Sequence, residues 1–135
     1  MQQLWGLAHA LEVRSKRMAR TLGVTSPQRL VIRVIGQMPG LSARDIANIL
    51  GIHPSTLTGV LNRLEGQGFI IREIDQDDRR RMRFTLSRAG KRIDRERKGT
   101  VEAAVRRALG RADRGVVAKT SVMLQLLVGE LSRQD

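Results

Sequence analysis

A mainly α (α+β) fold, with a single two-stranded β-hairpin set among helices, is predicted by three observations. Apolar residues recur at helical spacing near both ends of the chain, as in Leu4, Leu7, Leu11, Met18 and Leu22. From Phe69 to Leu86 the pattern changes to two β-rich runs around a polar turn. Glycines at 23, 40, 51, 66, 68 and 110 divide the remainder into helix-length pieces.

Each element has local reasons. The first helix carries the stripe from Leu4 to Leu22 and stops at Gly23. Thr25, Ser26 and Pro27 supply an N-cap and a first-turn proline, and Leu30, Val31, Val34, Ile35 and Met38 continue as a second helix ended by Pro39 and Gly40. Ser42 with Asp45 has the form of a capping box, which opens a short helix through Ile46, Ala47, Ile49 and Leu50 and closes at Gly51. The next helix begins near Pro54, capped by either His53 or Ser55, with Leu57, Val60, Leu61 and Leu64 on its apolar face. Phe69 to Ile74 and Met82 to Leu86 read as strands joined by a charged turn over Asp75 to Arg81. Ser87 caps a long charged helix that starts near Arg88 and runs through Val101, Ala104, Val105, Ala108 and Leu109. After Gly110 and Asp113, a last helix carries Val116, Val117, Thr120, Met123, Leu124, Leu127, Val128 and Leu131.

Composition narrows the function. The chain has 135 residues, 41% of them hydrophobic, enough for one folded unit with a real core. Only 2% are aromatic, namely Trp5, Phe69 and Phe84, so that core is aliphatic and no platform exists for stacking unpaired bases. Lys and Arg total 25 against 13 Asp and Glu, a net charge of +12 that points to a polyanionic partner. No apolar run approaches the roughly 20 residues that span a bilayer, so no membrane partner is expected. Glu12, Arg14, Lys16 and Arg17 interrupt any leader-like core, and a cytoplasmic location is expected. The absence of cysteine excludes disulfides, thiolate nucleophiles, zinc knuckles and thiol redox sensing. His9 and His53 are too few and too far apart for a metal site, and no cofactor is expected. An enzyme lacks its parts here, because no paired carboxylates, nucleophile with a base or phosphate-cradling glycine loop can be assembled, and no catalytic residue is assigned.

The element order is that of a winged helix-turn-helix with a two-stranded β-wing, flanked by N- and C-terminal helices suited to dimerisation. Three segments are expected: an N-terminal dimerisation helix over 1–24, a DNA-binding domain over 25–88 and C-terminal dimerisation helices over 89–135. A short helix that braces a second lets the second enter the major groove of duplex DNA. Pro54, Ser55, Thr56, Thr58, Gly59, Asn62 and Arg63 lie opposite its apolar face and are the expected recognition residues, whose hydroxyls and amide can meet bases or phosphates. Arg63 either contacts phosphate or pairs with a carboxylate such as Glu65. From Arg79 to Arg92 there are seven basic residues and no acidic one. Arg79, Arg80, Arg81 and Arg83 are the expected DNA-binding residues of the wing, and a tip of this kind places one of Arg79, Arg80 and Arg81 at the neighbouring minor groove. Asp78, which would repel phosphate, reads as a brace that pairs with Arg80. Leu4, Leu7, Leu11, Val117, Met123, Leu124, Leu127 and Leu131 are the expected dimer contacts, with Trp5 and His9 packing nearby.

The stretch LSARDIANILGIHPSTLTGVLNRLEGQGFIIREIDQDDRRRMRFTLSRAG, from Leu41 to Gly90, resembles the winged-helix core of MarR-type bacterial transcriptional regulators. The resemblance rests on Arg63, Leu64 and Glu65 before the turn at Gly68, on Asp78, Arg79 and Arg80 in the wing, and on Leu86, Ser87 and Gly90 after it. It implies a homodimer that intertwines helices from both chain ends, binds a palindromic operator and usually represses nearby genes. It also favours Arg79 as the minor-groove arginine. Gly59 departs from the longer, often basic residue that many members carry there, so base readout at that position is lost or moves to Asn62 and the wing. A small-molecule effector would act by changing the separation of the two recognition helices. The alternative from composition alone is an architectural protein that binds duplex DNA without sequence preference; both readings predict steep salt dependence.

Overall fold

A computed structural model describes residues 1–133. The last two residues of the segment expected over 89–135 therefore lie outside the described residues. Seven helices and one hairpin follow in the order α1 (Gln2–Leu22), α2 (Ser26–Gln37), α3 (Ala43–Leu50), α4 (Pro54–Gly66), β1 (Ile70–Ile74), β2 (Met82–Leu86), α5 (Arg88–Arg95), α6 (Val101–Leu109) and α7 (Arg114–Leu131). The chain divides into two compact units, Met1–Val101 and the part from Glu102 onward.

In the first unit the helix starts are set by side chains. Thr25 and Gln28 form a capping box on α2, and Ser42 and Asp45 form one on α3, where the Ser42 hydroxyl and N–H hold the Asp45 carboxyl below its usual range. His53 caps α4, its Nδ1 accepting from the Ser55 N–H at 3.3 Å, which resolves the choice between His53 and Ser55. Gly51, at φ 62, makes the tight turn between α3 and α4 in a conformation that strains any side chain.

The core is a single aliphatic cluster with one ring. Val24, Val31, Ile32, Ile35, Ile46, Leu57, Leu61, Leu64, Ile70, Phe84 and Leu86 are buried together. On α2 the buried apolar residues are Val31, Ile32, Val34 and Ile35, whereas Leu30 and, at the C-cap, Met38 are exposed. The strands pair antiparallel, with Ile70 opposite Leu86, Arg72 opposite Phe84 and Ile74 opposite Met82. Phe84 also exchanges backbone hydrogen bonds with the segment before α3, donating to Leu41 and accepting from Gly40. The hairpin is thereby tied to the helix-turn-helix.

The long helix expected from Arg88 to Leu109 is two helices. Arg29, itself buried on α2, donates to the carbonyls of Ile93, Asp94 and Glu96 and so caps the end of α5. The Glu96 side chain then accepts from the N–H groups of Arg97 and Lys98 at 2.9 and 2.8 Å, and Gly99 turns the chain at φ 77. α5 packs on α2 and β2, with Asp94 and Arg33 paired at 2.7 Å. At Gly90 the α5 backbone passes so close to the Phe69 carbonyl that a Cβ would collide with it.

In the second unit α7 begins at an Asp113 cap, whose carboxylate accepts from the Gly115 and Val116 N–H groups. Its apolar residues are not buried: Val116, Met123, Leu124, Leu126 and Leu131 are exposed, and Val117 and Leu127 half-buried. In the first unit, Leu4, Leu7 and Leu11 on α1 are likewise exposed, while Met18 on the same helix is buried. No helix among the described residues is long and apolar enough to cross a membrane.

Candidate nucleic-acid interface

The outer face of α4 carries Pro54, Ser55, Thr56, Thr58, Gly59, Asn62 and Arg63, all exposed, while Leu57, Leu61 and Leu64 hold the helix to the core. Its hydroxyls differ in what they have left to offer. Thr58 Oγ1 donates to the Pro54 carbonyl at 2.9 Å, and Ser55 Oγ lies 2.7 Å from His53 Nδ1. Thr56 has no side-chain partner among the described residues, so its hydroxyl is free to donate. Arg63 is in no ion pair among the described residues, because the Glu65 carboxylate is taken by Arg72 at 3.1 Å.

The wing is shaped by Asp75, at the start of its turn. Asp75 is buried, and its carboxylate accepts from the Asp77 and Asp78 N–H groups at 2.9 and 3.4 Å and from Arg83 Nε at 2.6 Å. The Arg83 guanidinium and these N–H groups hold the Asp75 carboxyl below its usual range, and Asp75 in turn raises Arg83. Arg83 also reaches Asp77 at 3.6 Å. Asp78 contacts Arg80 through the backbone, accepting its N–H at 3.0 Å. Arg79, Arg80 and Arg81 are exposed and in no ion pair among the described residues. The signal that marks Asp75 is its place at the start of an Asp-x-Asp-Asp turn, where a carboxylate can accept from the N–H groups ahead of it.

Recognition helix and wing border one open groove of about 360 Å³, lined by Ser42, Ala43, Arg44, Thr58, Leu61, Arg72, Arg81, Met82 and Phe84. It brings Thr58 and Arg81, expected from the sequence, beside Arg44 and Arg72, which were not. The arrangement offers guanidinium and small polar groups on one surface, suited to phosphate and base edges. Among the described residues no cluster of His, Cys, Asp or Glu could hold a metal ion.

Comparison with known proteins agrees with this geometry. The MarR family model matches residues 24–82. The HTH-type transcriptional repressor Mb2911 of Mycobacterium bovis is 31% identical over 90 residues, 67% of this chain and 65% of that protein, so the match spans just under two thirds of the relative's length. Among solved structures, the S. aureus MepR–DNA complex aligns with a TM-score of 0.79 at 18% identity, over 97% of this chain and 96% of that one. The Mycobacterium tuberculosis MarR family protein Rv2887, in complex with p-aminosalicylic acid, aligns with a TM-score of 0.59 at 25% identity, over 93% and 95%. By its sequence matches and its winged-helix fold, the chain is similar to the MarR family.

Proposed function

We propose that this protein is a homodimeric transcriptional regulator that represses by binding a palindromic duplex operator. The observation that carries the reading is the shared groove, in which Thr58 from the polar face of α4 and the unpaired Arg81 of the wing tip border one surface with Arg44 and Arg72. In the proposed complex, Ser55, Thr56, Gly59, Asn62 and Arg63 face the major groove, with Pro54 and Thr58 at its edge. Arg79, Arg80 and Arg81 reach the minor groove, and Arg83, Asp75 and Asp78 hold the tip in shape. The net charge of +12 supplies the sequence-independent part of the affinity.

Dimerisation follows from the apolar residues left uncovered on α1 and α7, which make the terminal helices the proposed interface. A symmetric partner would present two recognition helices about 34 Å apart, one helical turn of DNA. A small-molecule effector that favours another spacing would weaken operator binding. The repressor name of the mycobacterial relative supports repression, and the p-aminosalicylic acid bound to Rv2887 supports a small-molecule effector. Selection of duplexes from a random pool by the purified protein tests the reading. An enriched inverted repeat is expected, and strong salt-sensitive binding with no enriched motif would replace the regulator by an architectural protein.

A further inference from the structure

Asn62 carries the one side-chain amide of α4, and its carboxamide is held by a hydrogen bond. Arg72, on β1, donates from Nη2 to Asn62 Oδ1 at 2.8 Å and pairs with Glu65 at 3.1 Å. Its guanidinium carbon sits 5.4 Å from the centre of the buried Phe84 ring, directly across the strand pair. Arg72 is therefore fixed by the sheet, by α4 and by a core aromatic. A guanidinium has donors only, so the atom that Asn62 turns toward it is necessarily the oxygen. The two N–H donors of Nδ2 are left to face outward.

Resting on the regulator reading above, we propose that Arg72 is a positioning residue that fixes base preference. It presents Asn62 to the major groove as a donor. An asparagine free to rotate pairs with adenine in bidentate fashion, its oxygen accepting from N6–H and its nitrogen donating to N7. With the oxygen turned back to Arg72, Asn62 selects a base rich in acceptors, guanine through N7 and O6 or thymine through O4, over adenine at one base pair of each half-site. Gly59, one turn earlier on the same face, has no side chain to compete for that contact.

The test is selection from a random duplex pool with the wild type, Arg72→Met, Arg72→Lys and Asn62→Asp, each confirmed folded by thermal unfolding, followed by titration of duplexes that differ at the implicated base pair. The wild type is expected to prefer guanine or thymine about tenfold over adenine there. Arg72→Met frees the carboxamide and brings that ratio to within about twofold, whereas Arg72→Lys, which also offers only donors, retains it. Asn62→Asp, with one oxygen on Arg72 and the other facing out, moves the preference to cytosine, whose N4 amino group donates. A loss of fold or general affinity would not reassign one base pair in this way. An enriched wild-type site whose preference is unchanged in Arg72→Met, or equally altered in the Lys and Met variants, overturns this assignment alone. A wild type that enriches no site overturns it together with the regulator reading.

Discussion

The Met1–Val101 unit and the helices beyond it use apolar residues in opposite ways. In the first, Val31, Ile32, Ile46, Leu57, Leu61 and Leu64 vanish from solvent into one cluster. In α7, a comparable density of Val, Leu and Met leaves no residue buried. The hydrophobic effect acts on both, so a chain that keeps the second set in its sequence implies a surface to cover it. The first region holds a core of its own, a scaffold beneath the candidate nucleic-acid interface, and leaves apolar residues uncovered toward the start of α1, at Leu4, Leu7 and Leu11, whereas α7 buries none of its apolar set.

Substitutions in the two regions should therefore fail differently. The largest effect is expected in the scaffold. Leu64→Ala should cost about 3 kcal/mol in denaturant unfolding, through lost burial and the cavity left behind, whatever the protein concentration. Gly90→Ala should cost about as much, because α5 must withdraw from the Phe69 carbonyl. On α7 the expected loss is of association. Leu124→Lys should shift the sedimenting species from dimer to monomer and remove the concentration dependence that the unfolding temperature of a dimer has, with the helical circular dichroism retained. Equal concentration dependence in both variants would erase the distinction between the regions.

Smaller effects sharpen the picture within the scaffold. Arg79→Ala should weaken binding to selected and scrambled duplexes and lower the slope of log affinity against log salt by about one. The wing should also respond to acid. Because Arg83 and the turn N–H groups hold the folded Asp75 carboxyl below its usual range, its contribution is complete above the ordinary carboxylate pKa of about 3.9. It is lost as pH falls through the lowered folded value. Amide exchange in residues 75–81 should rise over that acidic window in the wild type, and Asp75→Asn should show the raised exchange already at neutral pH.

Much of this was legible because the signals are local. Ser42 with Asp45, Gly51 at the tight turn, the alternation into the hairpin and the period of α1 each lie within a few residues of what they determine. The site was legible as a surface, since the exposed residues of α4 and the arginine run are read from periodicity and charge. What escaped are pairings across distance. The Arg29 cap on α5 joins positions 64 apart, and no helical period predicts that it ends a charged stripe at Arg95. Arg72 on β1 looks like one more basic residue until the hairpin lays it over Phe84 and beside Asn62. Asp75 and Arg83 lie eight residues apart, yet their pairing depends on how the turn closes.

The central claim, a dimer that reads duplex sequence through α4 and the wing, is tested most directly by titrating the selected duplex and a scrambled control over a salt series while counting chains per duplex by sedimentation. Two chains on the selected duplex, bound at least about a thousandfold more tightly than the control at physiological salt, is the result expected. Equal affinities for the two duplexes, or a single chain per site, would contradict it.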